Sequence, residues 1–181
     1  MKKDNVILIG FMGTGKSTIG RLLAERLGWT YADSDARIEQ EQGVTIPALF
    51  ERDGEAGFRE LETEVLLRIM AEGRQVIATG GGAVLAERNR RAMLDNGFVV
   101  TLQASKEAII ARVSGDTGRP LLQGNLEERV TTLMENRKHA YDFADFIIDT
   151  TGLQPDDIAA RIVQAREQAF RQQHASDEAS Q

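Results

Sequence analysis

The sequence predicts an α/β fold whose parallel sheet is covered on both faces, and three observations carry that prediction. Short apolar runs of strand length alternate with longer segments of helical period, as expected for buried strands joined by crossover helices. The first run breaks into a glycine-rich loop that opens a helix, "ILIGFMGTGKST", from Ile7 to Thr18. The chain's 181 residues, 41% hydrophobic and 28% charged, suffice for one domain with a sizeable core and show neither a disordered nor a membrane-spanning balance.

Taken in order, "VILIG" reads as the first strand and Lys16 to Leu27 as the first helix. That helix has Ile19, Leu22, Leu23 and Leu27 on one stripe and Gly28 just past its end. "TYADSD" is the second strand, with Trp29 packing at its start. From 34 to 73 come three helical pieces with no strand between them, "SDARIEQEQG", "TIPALFERDG" and "EAGFRELETEVLLRIMAEG", which read as a helical insertion projecting from the sheet. "QVIATGGG", "FVVTLQA" and "DFIIDT" supply further strands. Leu126 to Tyr141 and Asp156 to Phe170 read as helices, the second entered through Pro155. Between Ser114 and Asn125, "SGDTGRPLLQGN" has the glycine and proline content of a mobile lid. The expected organisation is a single domain over 1–172, with 34–73 the insertion and 114–125 the lid, and a frayed tail over 173–181.

Charge and cysteine content narrow the function classes. Twenty-two Lys and Arg against 28 Asp and Glu leave a net charge of -6, which argues against a nucleic-acid partner. The absence of cysteine excludes disulfides, cysteine-ligated zinc, iron–sulfur clusters and thiol catalysis. The apolar run near the N-terminus is too short for a signal-peptide core or a membrane span, so a cytoplasmic protein without membrane contact is expected.

"GFMGTGKS", Gly10 to Ser17, is a GxxxxGK(S/T) phosphate-binding loop placed between a strand and a helix. Its glycines let backbone N–H groups curl around phosphate oxygens, and the helix N-terminus adds positive potential. In that role Lys16 spans β- and γ-phosphates and Ser17 ligates magnesium. No NKxD follows late in the chain, and "DTTG" from Asp149 to Gly152 matches DxxG only by chance, so a guanine-specific GTPase is not indicated. "DSD", Asp33 to Asp35, closes the second strand at the end of the sheet that faces the ligand crevice. One carboxylate there suits magnesium or its water and the other an acceptor hydroxyl, although Ser34 or Asp35 as a helix N-cap is the plainer use.

Other motifs are read against similarly plain alternatives. "GFRELE" sets Phe58, Leu61, Val65 and Ile69 on an apolar helix face, with Arg59 and Glu62 in i,i+3 contact, most simply a solvated ion pair. The three glycines of "IATGGGAV" imply close approach of a ligand to the backbone, again at a strand's carboxyl end. Arg119, in "GRPLL", would swing over the phosphates as the lid closes. Arg137 stands beyond the lid with Tyr141 one turn later, and His139 reads as surface.

Together "GFMGTGKSTIGRLLA", "DSD", "FRELE", "GGGAV", "RPLL" and "NRKHAY" resemble the shikimate kinase family over most of the chain, in the family's order. The resemblance implies a three-layer P-loop fold with a five-stranded parallel sheet in the order 2-3-1-4-5, a helical shikimate-binding subdomain and a lid. It implies ATP and Mg2+, with Gly13, Thr14, Gly15, Lys16, Ser17 and Thr18 holding the phosphates, Ser17 on the metal and Asp33 reaching it through water. Asp35 becomes the candidate base on the 3-hydroxyl of shikimate. Arg59, Gly80, Gly81, Gly82 and Arg137 become substrate contacts, and Phe50 and Phe58 wall the ring. Lys16 and Arg119 stabilise the transferring phosphoryl group, Arg112 stacks on adenine, and Gln154 stands where some relatives carry a basic residue near the base. A monomer is expected. The competing readings are a kinase for another polyol acid, such as gluconate or an aminated shikimate, and a nucleotide-responsive module without chemistry.

Overall fold

Each of the five apolar runs forms a strand in the computed structural model, which describes residues 4–114 and 125–178. β1 (Val6–Ile9), β2 (Thr30–Asp33), β3 (Gln75–Ala78), β4 (Phe98–Gln103) and β5 (Phe146–Asp149) make one parallel sheet in the order β2-β3-β1-β4-β5. β1 and β3 are buried at every residue because both faces of the sheet are covered, which is why "VILI" reads as a continuous apolar run.

Alternation along β1 divides the core. Ile7 and Ile9 point into one cluster and Val6 and Leu8 into the other, as the period of two requires. The first layer consists of α2 (Ser34–Gln42), α3 (Ile46–Glu72) and α4 (Glu87–Asn96), contributing Ile38, Leu49, Leu66 and Met93. The opposite layer is α1 (Lys16–Leu27) with α7 (Pro155–Glu178), contributing Leu23 and Ile162. A smaller cluster joins Phe11 to α5 (Lys106–Val113) and α6 (Leu126–Asn136) through Ile109, Val113 and Val130.

α1 has the bounds its stripe predicts, and the helical insertion forms as α2 and α3, with α3 kinked at Gly54 where the sequence divides two helical pieces. α4 and α5 are helices that the pattern did not single out: α4 is largely polar and α5 has only eight residues, too few to display a period. α6 ends at Asn136 rather than Tyr141, because the chain turns there to bring Arg137 and Tyr141 inward. α7 continues to Glu178, past Phe170, and its Arg166 lies between the Trp29 and Phe170 rings. Most of the expected lid, Arg119 included, lies outside the described residues.

Sheet register decides where the site forms. Asp33 pairs with Ala78, Leu8 with Ala78 and Ile9 with Thr101, so the carboxyl ends of four strands meet at one edge. The phosphate loop, the acidic pair and the glycine turn all leave from that edge.

Candidate active site

Between β1 and α1 the chain makes a loop whose binding groups are mostly backbone. Gly15 takes the N-cap position in a left-handed conformation (φ 98°) that a side chain would strain, and no side chain caps the helix. The first-turn N–H groups of α1, which have no partner inside the helix, are thereby left to an anionic ligand. Lys16 Nζ donates to the carbonyls of Gly10 and Phe11, both at 2.8 Å, so the ammonium is held over the loop. Thr14 turns inward, its hydroxyl donating to Phe11 O at 2.8 Å, and braces the loop from inside.

The loop opens into a cleft of about 450 Å³, within the range of small-ligand sites. Gly13 and Gly15 to Thr18 line one wall, Asp33, Asp35, Gly80 and Gly81 the other, and Arg112 the rim. Arg112 donates to Gly13 O at 2.9 Å and to Thr150 Oγ1 at 3.4 Å. The Thr150 hydroxyl in turn bridges the carbonyls of Gln103 and Thr14, at 2.9 and 3.3 Å. Gln154 is exposed, away from the cleft lining, and its carbonyl accepts the first N–H bonds of α7. It is Thr150, inside the "DTTG" stretch dismissed as chance, that ties the loop after β5 to the phosphate loop. A hydroxyl at the carboxyl end of an apolar strand was the available signal.

The acidic pair divides its work. Asp33, rather than Ser34 or Asp35, is the N-cap of α2: its Oδ1 accepts from the N–H groups of Asp35 and Ala36 at 3.1 and 3.2 Å. Its Oδ2 faces the cleft, 3.4 Å from Ser17 Oγ and 3.2 Å from the Tyr31 hydroxyl. Ser34 accepts from Gly80 N at 3.1 Å and fastens the end of β2 to the glycine turn. Ser17 Oγ and Asp33 Oδ2 are hard oxygen donors of the kind magnesium takes, alongside phosphate and water oxygens. Among the described residues no three His, Cys, Asp or Glu side chains gather into a metal-binding group. Burial pushes the Asp35 carboxyl up to about 6, reinforced by the Asp33 charge and opposed by Lys16 and Arg59.

Behind the cleft, the glycine turn is packed against charged side chains. A Cβ on Gly80 would sit 2.6 Å from Asp35 Oδ1 and 3.0 Å from Glu62 Oε1, and one on Gly82 would overlap the Arg59 guanidinium. A Cβ on Gly81 would lie 3.6 Å from Arg137 Nη1. The turn thus runs between two carboxylates and two guanidiniums. Arg59 Nη1 donates to Glu62 Oε2 at 2.7 Å; the Glu62 side chain is only 2% exposed and that of Arg59 21%, so the carboxylate is buried and its guanidinium partner half-buried. Burial raises the Glu62 pKa against the pull of Arg59. Glu62 falls in the same helical stripe as Phe58, Val65 and Ile69, and a charge on an apolar stripe was the signal of its burial. The rings of Phe50 and Phe58 stack 4.5 Å apart, with Arg59 over Phe58. His139 is exposed.

Phosphate-binding loops serve motors and switches as well, but here the loop stands beside a glycine turn flanked by the Asp35 and Glu62 carboxylates and the Arg59 and Arg137 guanidiniums, and that combination is the mark of a P-loop small-molecule kinase. In fold, the chain is similar to a gluconokinase from Sinorhizobium meliloti, with a TM-score of 0.62 at 14% identity over 96% of this chain and 97% of that one. The shikimate kinase family model matches residues 12–167, and the chain belongs to that family. It is 50% identical over 159 residues to the shikimate kinase of Geobacter sulfurreducens, covering 87% of this chain and 88% of the relative. A shikimate kinase from Acinetobacter baumannii, solved in complex with shikimate, superposes with a TM-score of 0.87 at 40% identity, covering 93% of this chain and 95% of that one.

Proposed function

We infer that the protein transfers the γ-phosphoryl group of ATP to the 3-hydroxyl of shikimate, giving shikimate 3-phosphate and ADP on the route to chorismate and the aromatic amino acids. The observation that supports this reading is the glycine turn beside the phosphate loop, against which the Arg59 and Arg137 guanidiniums and the Asp35 and Glu62 carboxylates are packed. A ring acid with neighbouring hydroxyls meets both needs.

Arg59 and Arg137 grip the substrate carboxylate by forked, charge-assisted hydrogen bonds, and Gly80 to Gly82 let the ring approach the backbone. Phe50 and Phe58 wall the ring. Asp35 orients the 3-hydroxyl and accepts its proton as that oxygen bonds to the γ-phosphorus and the bond to the ADP oxygen breaks. Backbone N–H groups from Gly13 to Thr18 hold the phosphates. Lys16, and Arg119 outside the described residues, stabilise the charge on the transferring group. Ser17, directly, and Asp33, through water, would hold magnesium, which would supply charge neutralisation at the phosphate oxygens. Arg112 is the adenine-side cation, and Gln154, exposed at the start of α7, is the weaker candidate for a contact to the base.

No helix among the described residues is long and apolar enough to cross a membrane, and a chain without cysteine fits the reducing cytoplasm where ATP and magnesium are abundant. A coupled assay of ADP release with ATP, magnesium and millimolar shikimate tests the reading. Release above background with shikimate, and not with gluconate, supports it; no release with shikimate sinks it.

A further inference from the structure

Beyond the two arginines, the carboxylate-binding half of the site depends on how the segment after α6 is fastened to the glycine turn. Arg137 follows the last residue of α6, and its N–H bonds back to the Leu133 and Met134 carbonyls, which ends the helix. The chain then turns, and two hydrogen bonds meet at Tyr141. Its backbone carbonyl accepts from Thr101 Oγ1 at 2.7 Å, and Thr101 is fully buried at the β4 position opposite Ile9. Its phenol donates to Gly81 O at 2.9 Å across 60 residues of sequence. Tyr141 is 8% exposed and Arg137 likewise 8%. Burial raises the phenol's pKa, with the Arg137 charge opposing, so the hydroxyl remains a donor at neutral pH.

We propose that Tyr141 is a positioning residue for the acceptor substrate: its phenol fixes the Gly81 peptide and the Arg137 turn as one unit, so that the Gly81 backbone and the Arg137 guanidinium face the substrate carboxylate in fixed register. This rests on the shikimate reading above. Gly81 has no side chain to limit its peptide's rotation, and its carbonyl is the group the phenol holds. The same bond prevents the Arg137 turn from drifting away from the glycine turn, since Thr101 anchors that turn to the sheet from the other side. A substrate gripped by two guanidiniums loses affinity when one of them is free to move.

Tyr141→Phe keeps the ring and removes only the donor. Steady-state kinetics, measured well below the melting temperature with shikimate and ATP varied in turn, give the decisive reading. The expected result is a rise of about tenfold in the KM for shikimate, the size of one lost hydrogen bond to an ordered site, with the KM for ATP unchanged. A lowered Tm with both KM values unaltered would overturn the proposal and leave the phenol a packing group. Arg59→Ala and Arg137→Ala, assayed alongside, separate the two levels. If neither raises the shikimate KM, the carboxylate reading itself fails; if both do and Tyr141→Phe does not, only the positioning role fails. Should Tyr141→Phe not fold by circular dichroism, Thr101→Val releases the same turn from β4, and an unchanged shikimate KM in that variant overturns the proposal equally.

Discussion

The two halves of the cleft are made of different materials. The nucleotide side presents backbone N–H groups, an uncapped helix start and side chains such as Ser17, Thr18 and Arg112 that stand in solvent. The acceptor side presents side chains that are wholly or partly buried: Glu62 at 1% exposure and paired with Arg59, Arg137 at 8%, and Asp35 half-buried with its pKa displaced to about 6. ATP brings its own charge and metal, so that wall needs only N–H groups in the right directions. Shikimate brings one carboxylate and neutral hydroxyls, so the protein must hold the reacting charge itself, in a low-dielectric place where it acts strongly and is costly to keep. Substitutions on the acceptor side should therefore change both chemistry and stability, and those on the nucleotide side chiefly affinity.

The largest effect belongs to Asp35→Asn, which keeps the shape and removes the proposed base. Turnover should fall by about 10²- to 10⁴-fold with the KM for ATP little changed, since general-base catalysis is worth about that much. Turnover near wild type would break the assignment. In the wild-type protein, kcat/KM for shikimate should decline as pH falls through about 6, where Asp35 takes up its proton in the free enzyme.

Next comes Arg59→Ala, which leaves Glu62 buried without its partner. Removing the partner of a buried carboxylate costs about 3 kcal/mol of stability, and loss of the proposed fork to the substrate should raise the shikimate KM between about ten- and a hundredfold. Chemical denaturation and substrate titration measure the two separately. A variant with raised KM but unaltered stability would show that Glu62 finds another partner, and would weaken the contrast between the halves.

How much of this was legible depended on how far apart the partners stand in the chain. The phosphate loop and α1 were readable because their signals lie within a few residues: glycine spacing, one apolar stripe, a terminal glycine. The strand order came from the combination of motifs rather than from any one of them. What stayed hidden were contacts between distant segments. Thr150 braces Thr14 across 136 residues, and Tyr141 meets Gly81 across 60. The end of α6 was misplaced for the same reason, since helical propensity continues past Asn136 while the bonds to Thr101 and Gly81 pull the chain out of the helix. Asp33 as N-cap escaped because one carboxylate does two jobs, and sequence offers no way to see that its oxygens diverge.

A smaller effect is expected in the stability of Asp35→Asn itself. Folding raises the Asp35 pKa from 3.8 to about 6, so the folded chain binds this proton more tightly than the unfolded one. The stability that follows is complete below about pH 4 and is lost as pH rises through about 6. At pH 8 the ionised group costs up to about 3 kcal/mol, at 1.36 kcal/mol for each pKa unit, so the amide variant should be the more stable protein there, and near pH 4 the two should converge. Equal stability at both pH values would mean that the unliganded site does not hold the charge at a cost.

The smallest effect tests the nucleotide side. Arg112 is exposed, and its bonds to Gly13 O and Thr150 Oγ1 join the rim of the cleft to the phosphate loop without closing it off from water. In solvent such bonds contribute little individually, about 1 kcal/mol or less, and a stacking contact to the base adds a similar amount. Arg112→Ala should therefore raise the KM for ATP several-fold while leaving the shikimate KM, turnover and Tm near wild type. A matching rise in the shikimate KM would mean that the rim arginine reaches the acceptor wall through the phosphate loop. The cleft would then be one coupled unit, and the division into a backbone half and a side-chain half would describe its materials without describing its energetics.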